Sequence, residues 1–180
     1  DKIIRMSLEE SLIETLKQTR TIICTVESCT GGQISHSLTN VSGSSQVFWG
    51  ATITYDNSAK MSLGVCTETL KNYGAVSEQT ARELAEQGLL KMTESLNNAK
   101  DQTSLSACTD QLCVATTGIA GPTGGSDQKP VGLCYIGLAR TGKNTKVLKV
   151  LSNPGLSRLE NKQEFTRSAL EFLFQELTSS

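Results

Sequence analysis

Histidine is the scarcest reactive side chain in this chain: one residue, His36, in 180. A single histidine cannot furnish the usual Cys/His zinc sites. The six cysteines, at 24, 29, 66, 108, 113 and 134, include no CxxC pair, so their spacing gives no support to an all-cysteine metal site either. No metal or organic cofactor is expected. Net charge is also missing: 17 Lys and Arg stand against 18 Asp and Glu. A broad basic surface for nucleic acid is therefore not implied, although a small anion pocket needs only a few donors. No apolar run is long enough to span a bilayer and no signal-peptide pattern opens the chain. The expected setting is a reducing cytoplasm, away from membranes, with thiols such as those in TIIC and LCV serving as small buried groups. The nucleotide-binding patterns GxGxxG and GxxxxGK[ST] do not occur.

What is present is an alternation of strand and helix signals over a length that suits one domain, 1–180, with a sizeable core. Ser7 and Glu10 form a capping-box pattern ahead of a stripe of Leu8, Leu12, Ile13 and Leu16. TIICTV (21–26) predicts a buried strand, and a helix is expected from Gly31 through Val41, broken by GSS at 43–45. ATITY (51–55) predicts a strand and NSAKMSL a short helix stopped near Gly64. The clearest helix covers 76–96, capped by Ser77, with Ala81, Leu84, Ala85, Gly88, Leu89 and Met92 on its apolar face. Gly88 costs that helix about 1 kcal/mol relative to alanine, which close packing would explain. Residues 97–111 are polar and patternless and are expected to form a surface insertion. Strands follow at 112–118, 131–139 and 145–152, the last two joined by a turn at Thr141-Gly142, and a helix runs from about Glu160 to Leu177. This order predicts a single three-layer α/β/α domain with a mixed sheet.

Chemistry concentrates in TVESCTGG (25–32). Ser28 falls just past a strand, at an expected helix start whose first N–H groups lack helical partners and can hold a phosphate or a developing oxyanion. A serine there is a nucleophile if a base takes its proton. His36, about two turns along the same helix, would point away and reads as a surface or boundary residue. Tyr55 and Lys60 flank a strand-to-helix junction. Partial burial would lower the lysine pKa and make it a competent base, and a nearby ammonium would favour the phenolate. The plain alternative is a strand-end tyrosine on the core and a solvated lysine. GIAGPTGGS, after a strand, reads equally as a ligand loop or a surface loop.

ESCTGG, GATITYDNSAKMSLGV, GAVSEQTARELAEQG and TGIAGPTGGSDQKPVGLCYIGLA together resemble the CinA C-terminal family, across nearly the whole chain. The family's characterised enzymes are nicotinamide mononucleotide deamidases of bacterial pyridine nucleotide salvage. They are found alone or as the C-terminal part of a larger protein whose other half resembles molybdopterin-binding domains. The resemblance implies an α/β/α amidase that converts nicotinamide mononucleotide and water to nicotinic acid mononucleotide and ammonia, as a homo-oligomer. It implies Ser28 as nucleophile, Lys60 with Tyr55 as proton acceptor, and N–H groups at 28–32 as oxyanion donors. Thr30, Gly31, Gly32, Asn57, Thr117, Gly118, Gly121 and Gly124 would line or hold the substrate, the loop from Thr117 taking its phosphate. Asn57 would brace the 55–60 junction through backbone contacts. Glu27 would either orient Lys60 or stand solvated at the strand end, and Cys29 would pack. Two features depart from the family pattern: the length of 97–111, and Ala51 where a larger residue is common. The other readings are a pyridine-nucleotide-binding sensor without turnover and an amidase for a different small amide.

Overall fold

The strand β1 (Thr21–Glu27) is buried along its whole length, as a strand must be when helices cover both faces of its sheet. The structure is a computed structural model that describes residues 6–99, 105 and 108–179. Five strands form one sheet in the order β2-β1-β3-β4-β5, where β2 is Phe48–Ile53, β3 Asp110–Gly118, β4 Leu133–Arg140 and β5 Lys146–Leu151. β2, β1 and β3 run parallel, and β4 and β5 add antiparallel, so the mixed three-layer α/β architecture expected from the sequence is the one observed.

Period-two alternation splits the core. Ile23, Leu112, Val114, Ile136 and Leu138 face one helical layer, made of α1 (Leu8–Gln18), α2 (Gln33–Thr39) and α6 (Arg158–Thr178). Ile22, Cys24, Val26, Cys113 and Ala115 face the other, dominated by α5 (Glu78–Ala99) with α3 (Asn57–Leu63) and α4 (Thr67–Tyr73) beside it. α1 starts at the expected capping box, with Ser7 Oγ accepting from Glu10 N at 3.1 Å and Glu10 returning a carboxylate to Ser7 N at 2.7 Å. Ser77 accepts from Thr80 N at 3.1 Å at the start of α5.

Several boundaries move for identifiable reasons. α2 begins at Gln33 rather than Gly31 because Gly31 and Gly32 carry φ of +59° and +99°, outside the helical region. β2 starts three residues before ATITY and ends two residues before it does: its ladder ends at Glu27↔Ile53, so Thr54 and Tyr55 leave the sheet. α6 begins before Glu160 because Ser157 and Glu160 form a second capping box. α4 escaped the sequence reading because TETLKNY buries only Thr69 and so has no apolar stripe. The expected insertion is narrower than 97–111. α5 reaches Ala99, and Asp110 and Gln111 already pair with Thr21 and Ile22. Arg140 grips Asp110 at 2.6 Å, and Leu105 is buried in the α5-side core. Residues 100–104 and 106–107 lie outside the described residues.

The chain leaves β1 in one direction to reach β2, then returns to the other side of β1 to form β3. Such a reversal opens a crevice at the C-terminal ends of the two strands, where α/β sheets bind ligands. Ser28 follows β1 there, and Thr117 and Gly118 end β3 there.

Gly88 fills the packing role expected of it. A Cβ at this position would lie 2.5 Å from Val26 Cγ2 and 2.6 Å from Cys113 Sγ. Helix propensity alone favours alanine there by about 1 kcal/mol, but overpacking a rigid core costs about 1–3 kcal/mol. Gly88→Ala is therefore expected to lower the unfolding free energy, by up to about 2 kcal/mol, in equilibrium urea titrations.

Candidate active site

Lys60 is a fully buried lysine, 2% exposed. It sits one turn into α3, a helix begun by Asp56, whose carboxylate accepts from Ser58 N at 2.8 Å. That turn carries the side chain back under the chain leaving β2. Its Nζ donates to Thr54 O at 2.8 Å and Tyr55 O at 3.1 Å, and lies 3.1 Å from Ser28 Oγ. Burial holds its pKa below the ordinary 10.5, with Cys29 and Asp56 pulling the other way. The two carbonyls only accept, so both demand an N–H. When Lys60 is neutral, its two hydrogens satisfy them and its lone pair is left for the Ser28 hydroxyl.

Glu27 follows neither expected course: it does not touch Lys60 and it is not solvated. It is completely buried and caps the start of α2. Its oxygens accept from Ile34 N at 2.9 Å, Ser35 N at 3.0 Å, Ser35 Oγ at 2.7 Å, Thr30 Oγ1 at 2.8 Å and Thr25 Oγ1 at 3.2 Å. The helix start anticipated as an anion site is thus occupied by the protein's own carboxylate, a favourable partner for the positive end of the helix. Thr30 Oγ1 also meets Thr116 Oγ1 at 2.8 Å, tying the turn to β3.

These contacts correct part of the expected binding set. Thr30 is wholly buried in that network and Gly31 is exposed; neither they nor Gly32 line the pocket beside Ser28. Ser28 N donates to Thr116 O at 3.1 Å and Gly31 N to Ser28 O at 3.1 Å, so neither is an oxyanion donor. The N–H of Cys29 has no acceptor among the described residues and belongs to a pocket-lining residue.

The pocket, about 250 Å³, is walled by Ser28, Cys29, Tyr55, Asn57 and Lys60 on one side and by the loop after β3 on the other. Thr117, Gly118, Gly121 and Gly124 all line it. The Thr117 hydroxyl is committed to Ala75 O at 2.6 Å. Asn57 does not brace the junction, since Asp56 does so; its amide is exposed without a partner among the described residues. Tyr55 serves Lys60 through its carbonyl, while its phenol hydroxyl accepts from Arg158 Nη2 at 2.6 Å. His36 is exposed on α2 and lies outside the pocket.

Arg158 was missed by the sequence reading. Nη1 donates to Gly121 O at 2.7 Å, and no carboxylate pairs with the guanidinium among the described residues. Three of its five N–H groups remain at the pocket mouth. A signal existed: Arg158 is the first residue of α6, where the helix dipole disfavours a cation. Among the described residues, no group of three His, Cys, Asp or Glu side chains is disposed to hold a metal ion, and no helix is long and apolar enough to cross a membrane.

The profile of the CinA C-terminal domain matches residues 5–177. The chain belongs to the CinA C-terminal domain family. It is similar to a CinA-like protein of Chloroherpeton thalassium, 41% identical over 97% of this chain and 38% of that one. A CinA-like protein of Kosmotoga olearia is 43% identical over 91% of this chain and 37% of its own length. This CinA domain thus spans well under half of those relatives. The crystal structure of the competence/damage inducible protein CihA from Agrobacterium tumefaciens superposes with a TM-score of 0.81 at 36% identity, covering 96% of this chain and 94% of that one.

Two outcomes follow from the buried charges. Glu27→Ala strands two backbone donors and is expected to cost about 3 kcal/mol or more in urea unfolding. For Lys60, a folded pKa below 10.5 means that the unfolded chain binds more protons. Its contribution therefore raises stability with pH between the lowered value and 10.5. The stability of the parent relative to Lys60→Met should climb with pH across that window, as read by unfolding titrations at stepped pH.

Proposed function

We propose that this CinA domain is an amidohydrolase that cleaves the carboxamide of nicotinamide mononucleotide through a serine acyl-enzyme. The observation that carries the reading is the 3.1 Å approach of Lys60 Nζ to Ser28 Oγ inside a pocket. Ser28 Oγ attacks the amide carbon as Lys60 takes its proton. The N–H of Cys29 is the donor available to the developing oxyanion. The tetrahedral species collapses, Lys60 returns the proton to the departing nitrogen, and ammonia leaves. Water, deprotonated by Lys60, then cleaves the ester to give the nicotinate product and restore Ser28. Arg158, with three free N–H groups at the mouth, matches the phosphate of a mononucleotide, and Tyr55 holds that guanidinium in place. Asn57, Thr117 and the glycines of the 118–124 loop line the space for the rest of the substrate.

The decisive experiment is ammonia release from nicotinamide mononucleotide by the parent and by Ser28→Ala. Release by the parent alone is the expected result. Equal release by both sinks the nucleophile assignment, and binding without release by either supports the sensor reading instead. Activity should rise with pH through a limb whose pKa lies below 10.5, because the neutral amine is the base. Tyr55→Phe keeps the carbonyl that Lys60 uses, so kcat should hold. KM should rise, as it should in Arg158→Ala, where loss of a charge-assisted contact predicts about a 10- to 100-fold increase.

A further inference from the structure

Cys29 and Cys134 are the two thiols in this molecule that meet beside a cavity. Their sulfurs are 3.8 Å apart, close enough for one S–H to point at the other sulfur. Cys29 comes directly after Ser28 and lines the pocket, whereas Cys134 lies behind it in β4, paired in register with Gly118. Both are free thiols, 5% and 0% exposed. The other buried pair, Cys24 and Cys113, sits in the α5-side core and does not line the pocket.

We propose that Cys29 and Cys134 form a reversible disulfide when a peroxide enters the pocket, and that this bond switches the site off. The chemistry balances with hydrogen peroxide as the oxidant. The Cys29 sulfur attacks one peroxide oxygen and releases water, becoming a sulfenic acid. Cys134 sulfur then attacks the Cys29 sulfur, and its proton leaves with the hydroxyl as a second water. Two thiols are oxidised by two electrons in all, and one peroxide is reduced to two waters. Cys29 lines the pocket and Cys134 does not, so Cys29 is the sulfur that an entering peroxide meets first. Burial pushes the Cys134 thiol well up.

Closing the bond draws the sulfurs from 3.8 Å to about 2.05 Å. The bond would act on the site by drawing Cβ29 and its backbone toward β4. That motion displaces the Cys29 N–H and the adjoining Ser28 from the place where Lys60 meets them. The switching half of the proposal rests on the amidase reading; the disulfide itself does not.

The test treats the protein with a small excess of hydrogen peroxide, blocks free thiols without reduction, and maps the linked peptides by mass spectrometry. The expected product is two hydrogens lighter than the parent, with Cys29 joined to Cys134. Ammonia release should fall by about 100-fold, the cost of losing an oxyanion donor, and return with dithiothreitol. Cys134→Ala should retain activity before treatment and form no internal disulfide; peroxide should instead leave added oxygen on Cys29. Oxygen addition at Cys66 or Cys108 with no Cys29–Cys134 link overturns the proposal, and so does a link that leaves turnover unchanged. If the untreated protein releases no ammonia, the amidase reading has failed; nucleotide binding by reduced and oxidised protein then replaces turnover, and equal binding overturns the switch. The peptide map of the parent decides the disulfide even if the variant does not fold.

Discussion

A lysine amine held out of water must find acceptors, and the acceptors it finds organise this site. Three hydrogens of the Lys60 ammonium meet three oxygens, two of which are carbonyls of the chain just leaving β2. The β2 ladder ends at Ile53 and frees those carbonyls. Asp56 starts α3 at once, so that Lys60 comes round beneath them one turn later. The third oxygen is Ser28 Oγ. Burial weakens the ammonium, and the carbonyls dictate where the lone pair points once the proton is gone. The arrangement is costly as a piece of packing, since an aliphatic chain would bury with less penalty. Under the proposed function it makes sense as a base poised beside a nucleophile.

A second buried polar side chain keeps Ser28 in position. Glu27 binds the first N–H groups of α2 and the hydroxyls of Thr30 and Ser35. The short turn between β1 and α2 is therefore fastened at both ends, and Thr116 ties it to the neighbouring strand. This explains why the motif needs a carboxylate, two hydroxyls and two glycines around one serine. Most of those residues build the turn, while Ser28 and the N–H of Cys29 face the cavity. A motif can be functional as a whole without each member touching a ligand.

The elements with strong local signals were legible in advance. Ser7 with Glu10, the apolar face of α5 and the apolar run of β1 depend on contacts within a few residues or on simple periodicity. Boundaries set by distant partners were less legible. β2 ends where β1 ends, and β3 begins early because Asp110 pairs with Thr21 and is held by Arg140. Within the site, Ser28, Lys60 and the 117–124 loop stood out because their residue types already carry chemistry. Arg158 did not, because the chain reaches it some 100 residues after Tyr55, and only the fold makes them neighbours.

The residues alone therefore settled the α/β class, the family and the presence of a serine and a lysine in suggestive places. The class follows from periodicity and composition and the family from the resemblance of its motifs, neither of which needs knowledge of partners. The tertiary structure decided which groups do what. It turned Glu27 from a possible partner of Lys60 into the cap of α2, and Thr30 into a strut. It joined Tyr55 to Lys60 by a carbonyl and to Arg158 by a hydroxyl, and it brought Cys29 against Cys134. In each case the deciding quantity is a contact between segments far apart in the chain. Such contacts form only when the two helical layers close on the sheet and every buried polar group has to find a partner.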